Sequence, residues 1–245
     1  MTVWDFELSD EPHLTAIFDL RACEYEIATK SEWNRGFLDN KESLRMWHKL
    51  MAEHRSSPGI ISPQPIVKYE NGKVALDAKE FDEMATYCFD ELKMHMAYTP
   101  WYFFAFGWGH VPSDFQGFKY PTAEYKEAFQ KCVKAYWDHV KEKGCDKKIY
   151  LYLSDEPHVG EEDKVVRERV LKQMKDLCDM IHEVAPDIRI YVSTWGYVPE
   201  WRGYLDIWGA GAHGQFPVDE MERRIKEGDL ILFTTDGQMC LDTPY

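Results

Sequence analysis

The stretch IYLYLSDEP, residues 149–157, sets a short run of aliphatic and aromatic residues directly against two acids and a proline. A continuous apolar run of this length, ended by a breaker, is the pattern of a strand buried on both faces in a parallel sheet. Outward from it, similar segments rich in aromatic and β-branched residues fall at residues 15–20, 59–62, 101–106, 188–193, 205–208 and 230–234. With residues 149–153 they make seven expected strands. Helix-periodic segments lie between most of them, so the spacing predicts a parallel α/β sheet with crossover helices.

The helices are read from apolar stripes at three- and four-residue intervals. Phe81, Met84, Ala85, Cys88 and Leu92 make one stripe, which Asp77 and Glu80 open as a capping box. Tyr125, Phe129, Cys132, Val133, Tyr136, Trp137 and Val140 make a second, closed by Gly144. Val166, Val170, Met174, Leu177, Cys178 and Ile181 make a third, ended by Pro186, and Leu44, Trp47 and Met51 a weaker one behind a capping box at Asp39 and Glu42. Pro63, Pro65 and Asn71-Gly72 mark a loop with a small hairpin, because Asn-Gly suits a two-residue turn. Residues 1–14 form a lead-in segment. Residues 15–245 are expected to form one (β/α)8 TIM-type barrel, whose eight units need about 250 residues. The chain stops just after the seventh strand, so the barrel is expected to be truncated there, lacking its eighth unit and leaving strand edges through which copies could associate.

Composition removes several classes. The net charge of −14 argues against nucleic acid and anionic membranes as partners. The longest apolar stretch is too short to span a bilayer. No GxxxxGK[ST] follows a strand, so a P-loop fold gains no support, and no GxSxG elbow offers a Ser nucleophile. The His residues form no HExxH and no ligand-spaced pair with a matching acid, so no metal is expected. The six cysteines form no CxxC and are read as reduced, with three in the helix stripes. The N-terminus lacks the basic and apolar regions of a signal peptide, which makes a cytoplasmic location the default expectation.

In a barrel the chemistry sits just past the strands' C-terminal ends. Those positions hold Asp19, Arg21, Gln64, Trp108, His110, Asp155, Glu156, Trp195, Trp208, His213 and Asp236. Asp155 and Glu156 stand out, because adjacent carboxylates at a strand mouth walled by aromatic rings repel one another and favour one remaining protonated. That arrangement suits glycoside hydrolysis, in which one carboxylic acid protonates the leaving oxygen and a second group stabilises the oxocarbenium ion. The alternative is structural: Asp-Glu-Pro can simply leave a strand, and Glu161, Glu162 and Asp163 supply the acidic first turn of the next helix. SDEPH also occurs twice, at residues 9–13 and 154–158, but only the second copy follows a strand-like run. Trp108, His110, Trp195, Trp208 and Asp236 are the expected substrate contacts. Each tryptophan can stack on a sugar ring or pack the barrel top.

VWDFELSDEPHL before the first strand, SDEP after the fourth, STWG after the fifth and DIWGAG at the sixth, taken together, resemble the catalytic domain of glycoside hydrolase family 123 and the related DUF4091 proteins. The resemblance runs along essentially the whole chain. It implies a barrel acting on β-linked N-acetylgalactosamine by substrate assistance, in which the sugar's own 2-acetamido carbonyl attacks its anomeric carbon to form an oxazolinium. On that resemblance Asp155 orients the acetamido group, Glu156 is the general acid/base, and neither metal nor organic cofactor is used. The partner implied is a glycan or amino-sugar glycoside. The competing expectations are a non-catalytic carbohydrate-binding barrel or inactive fragment, and a glycosidase of ordinary hexosides.

Overall fold

The computed structural model describes residues 16–18, 41–107, 112–157, 163–211 and 216–234. These divide into two compact units. The first holds residues 16–18, 41–65, 77–98 and 147–149, the second residues 66–76, 99–107, 112–146, 150–157, 163–211 and 216–234.

In the first unit β1 (Ala16–Phe18) pairs in parallel with β2 (Ser56–Pro58), joined through a segment that includes α1 (Lys41–Glu53). β5 (Ala97–Tyr98) continues the parallel pattern, Tyr98 N–H donating to Gly59 O at 2.5 Å and Ala97 N–H to Lys148 O at 2.8 Å. The expected strand at 59–62 is therefore displaced to Ser56–Pro58, with Ile60 retained as a single bridge to Tyr98. α2 (Lys79–Thr86) starts without the expected capping box: Ala78 is the N-cap and no side chain closes it, while Asp77 Oδ1 accepts only from Lys79 N at 3.4 Å. Its apolar stripe runs on into a π-turn at Tyr87–Glu91, so Cys88 and Phe89 stay buried with Phe81 and Met84.

His48, on α1, is fully buried, and neither ring nitrogen finds a hydrogen bond among the described residues. Burial disfavours the imidazolium and pushes its pKa down to about 4. The unfolded chain takes up a proton near pH 6.5, whereas the folded chain resists until about pH 4. Stability is present above 6.5 and lost as pH falls through that window, by up to about 3 kcal/mol. Urea melts between pH 7 and 4 should show this slope in the wild type, and His48→Phe should flatten it.

The second unit contains the parallel strands β6 (Ile149–Asp155), β7 (Ile190–Trp195), β8 (Ile207–Gly211) and β9 (Leu230–Thr234), hydrogen-bonded in that order. α3 (Ala123–Glu142) precedes β6, α4 (Lys164–His182) connects β6 to β7, and α5 (Val218–Glu227) connects β8 to β9. The α/β class with parallel strands and crossover helices is what forms. Thr122 caps α3 by accepting from Tyr125 N, and Asp163 caps α4 by accepting from Val165 N and Val166 N. α5 was not marked by a named stripe; its one buried residue is the charged Arg224, which hides its helical period. β3 (Ile66–Glu70) and β4 (Lys73–Asp77) form the expected hairpin, with Asn71 and Gly72 both at positive φ as its tight turn requires.

The expected strand at 101–106 is the clearest correction. Pro100 has no N–H for a ladder, and the chain instead makes a 3-10 turn at Trp101–Phe103 before Phe106 rejoins β6 by one bridge to Ser154. Phe103 anchors the turn by packing on Phe115, Phe129 and Tyr136. Cys88, Cys132 and Cys178 are buried thiols, and no disulfide joins the four cysteines among the described residues, while Cys23 and Cys240 lie outside them. Burial pushes the Cys88 and Cys132 thiols up to about 12 and about 11, so neither is a nucleophile.

Candidate active site

β6 forms because Ile149 to Ser154 are all buried and every second residue can face the same side. Its register with β7 matches Tyr152 to Tyr191, then skips a residue and matches Ser154 to Val192 and Asp155 to Ser193. Carried across the sheet, one row of partners is Tyr152, Tyr191, Ile207 and Leu230, and the next row on that face is Asp155, Ser193, Gly209 and Leu232. Asp155 therefore sits at the C-terminal mouth of β6 beside a serine and a glycine. The strand runs two residues further than the sequence indicated, and the acid is part of it.

Glu156 follows in a different backbone state. Its φ is 45°, the left-handed region, which costs a non-glycine residue about 1–2 kcal/mol. The turn is held by Glu156 N–H donating to Ser193 O at 2.8 Å and Asp155 N–H to Phe106 O at 3.3 Å, with Pro157 buried behind. A strand would send neighbouring side chains to opposite faces, and the left-handed turn releases Glu156 from that alternation. Both acids are partly exposed. Local strain on a charged residue at a strand mouth is the kind kept for function. Glu156→Gly should relieve it, offset by the greater freedom of glycine in the unfolded chain. Thermal melts should show a net gain of up to about 1 kcal/mol.

The acid's face is aromatic. Tyr152 and Tyr191 lie 4.7 Å apart, and Trp101 and Phe104 both meet Tyr152 edge-on, at 6.0 and 5.3 Å. The Ser193 hydroxyl in the Asp155 row, and that of Ser154 on the opposite face, are fully buried with no hydrogen bond among the described residues. Sequence reasoning passed over both serines and over Trp101 and Phe104. The available signal was a hydroxyl inside an otherwise apolar strand.

Trp208 belongs to the other face. Its row is Ser154, Val192, Trp208 and Ile231, and it is fully buried. Its indole N–H donates to Asp229 Oδ2 at 2.9 Å, and its ring packs on Tyr197 and Phe216 at 5.5 and 5.8 Å. Burial raises the Asp229 carboxyl, opposed by that indole N–H and by Arg224, whose Nη1 lies 3.5 Å away. Trp208 is thus packed on the face opposite the Asp155 row, with no face open to a sugar. Trp195 ends β7 with its backbone paired to Ala210. Gln64 lies in the first unit. Trp108, His110, His213, Asp236, Asp19, Arg21 and the first SDEPH copy lie outside the described residues. Among the described residues no His, Cys, Asp or Glu cluster could hold a metal, and no helix is long and apolar enough to cross a membrane.

The sequence matches no protein-family model and no curated protein. Among solved structures it is similar to a GH39 enzyme from Xanthomonas axonopodis pv. citri, with 11% identity and a TM-score of 0.49, covering 90% of this chain and 50% of that one. A monomeric β-xylosidase from Caulobacter crescentus CB15 matches at 13% identity and 0.47, covering 90% and 51%. An endo-1,4-β-mannanase from Rhizomucor miehei matches at 9% identity and 0.46, covering 78% and 72%. The chain spans about half the length of the first two of these proteins. The chemistry rests on this chain's own residues.

Proposed function

We propose that this chain is a barrel-type retaining glycoside hydrolase that removes terminal β-linked N-acetylhexosamine, N-acetylgalactosamine first, with Asp155 and Glu156 as its catalytic pair. The observation that carries the proposal is the strand mouth itself: Asp155 ends β6 on an aromatic face, and Glu156 is held next to it in a strained turn. The family resemblance of the SDEP, STWG and DIWGAG stretches supports the same assignment.

In this mechanism the acetamido carbonyl oxygen of the substrate attacks its own anomeric carbon. Glu156 gives its proton to the glycosidic oxygen as the C1–O bond breaks, and the aglycone leaves as an alcohol. Asp155 accepts from the acetamido N–H and stabilises the positive charge of the oxazolinium. Glu156, now a carboxylate, takes a proton from water, which attacks C1 and restores the acetamide. Two displacements at C1 retain the β configuration. Adjacent acids suffice because the substrate supplies the nucleophile.

The test is release of aglycone from aryl β-N-acetylgalactosaminide and β-N-acetylglucosaminide, set against aryl hexosides lacking the acetamido group. Turnover confined to the first two supports the proposal. Appreciable cleavage of the plain hexosides removes substrate assistance. Glycan bound for hours without turnover makes the protein a carbohydrate-binding barrel instead.

A further inference from the structure

We propose that Trp101 and Phe104 form a stacking platform for the apolar face of a pyranose ring on the same side of the sheet as Asp155. The sugar class rests on the glycosidase reading above; the platform itself rests on separate geometry. The two rings are three residues apart, and a 3-10 turn brings positions i and i+3 into line. They stack with centroids 4.2 Å apart and planes 17° from parallel. Phe103 between them packs into the buried cluster of Phe115, Phe129 and Tyr136, which fixes the turn.

Both rings are partly exposed, and both rest edge-on against Tyr152, which is on the Asp155 face one row below the acid. Gly107 closes the segment against Phe104, where a β-carbon would lie 3.4 Å from the ring. Flat apolar rings that stay partly wet on the same side of the sheet as a carboxylate match a ligand with one apolar face and a rim of hydroxyls. C–H groups of the sugar stack on the ring and its hydroxyls donate to the carboxylate. A planar anionic ligand such as a nucleotide meets the two acids and a net charge of −14, and is repelled.

The experiment measures binding by calorimetry in a Glu156→Gln background, which slows turnover of these alkyl glycosides below the time of a titration. The probes are methyl β-N-acetylgalactosaminide, the β-linked disaccharide of N-acetylglucosamine, and adenosine monophosphate as the planar anion. Trp101→Ala and Phe104→Ala should each weaken saccharide binding about 5- to 30-fold with melting temperatures within a few degrees, and Trp101→Phe should recover most of it. With Glu156 restored, Trp101→Ala should raise KM and leave kcat near wild type. Unchanged saccharide affinity in both alanine variants, no saturable saccharide binding at all, or tighter binding of adenosine monophosphate each overturns the platform. The glycosidase reading fails separately: if wild type shows no turnover while Trp101→Ala still loses saccharide binding, the platform stands and the catalytic assignment does not.

Discussion

Glu156→Gln is expected to lower the rate of hydrolysis of a natural disaccharide by about 10²- to 10⁴-fold, the range for removing a positioned general acid. The loss depends on the leaving group. An alkoxide needs its proton as the bond breaks, whereas an activated phenolate leaves largely unaided, so an aryl glycoside should lose much less of its glycosylation rate. Asp155→Asn should behave differently. It removes the charge that faces the developing oxazolinium and leaves the acid in place, so the rate should fall about 10²- to 10³-fold for every leaving group. Pre-steady-state rates on the aryl glycoside and steady-state rates on the disaccharide, for both variants, provide the check. Equal losses on both substrates for Glu156→Gln would take Glu156 out of the acid role. Wild-type kinetics for Asp155→Asn would remove the acetamido mechanism.

Trp208→Ala should cost about 3–5 kcal/mol of stability, because it empties a fully buried site between Tyr197 and Phe216. It also takes from Asp229 the indole donor that helps keep a half-buried carboxylate ionised next to Arg224. At about 2–4 °C per kcal/mol for a domain of this size, the melting temperature should drop by roughly 6–20 °C. Trp208→Phe keeps an aromatic ring in the site but loses the N–H and part of the ring volume, so its loss should be about 1–3 kcal/mol. A stacking role makes the opposite forecast, a raised KM with little change in melting. Thermal melts and kinetics of the same variants decide between them, and an unchanged melt with a higher KM would return Trp208 to the substrate.

The elements legible in the sequence are those whose cause is local. IYLYL is a strand because its apolar and aromatic side chains are all buried, and Leu230–Thr234, an equally apolar run, forms one over the expected residues although Leu230 and Phe233 stay exposed. Asn71-Gly72 makes its hairpin because few other pairs tolerate positive φ twice. The α3 and α4 stripes fall inside helices because period 3.6 is written in the side chains themselves. Residues 101–106 misled for the converse reason: an apolar run has no period of its own, and Pro100 with the burial of Phe103 turned it into a 3-10 turn.

By itself the sequence determined where the acids stand, since two carboxylates and a proline at the end of a buried strand must lie at its mouth. The alternating classes of segment likewise determined the α/β character. Only the tertiary structure decided which side chains share a face with Asp155. Faces alternate along a strand, so the side a residue takes depends on register with its neighbours, and a one-residue skip between Tyr152 and Ser154 resets it. That skip sets Ser193 and Gly209 in the row of Asp155 and leaves Trp208 on the opposite side, buried against Tyr197 and Phe216. The left-handed turn at Glu156 is of the same kind: it exists because Ser193 on the next strand holds its N–H, a contact made between residues 37 positions apart in the chain.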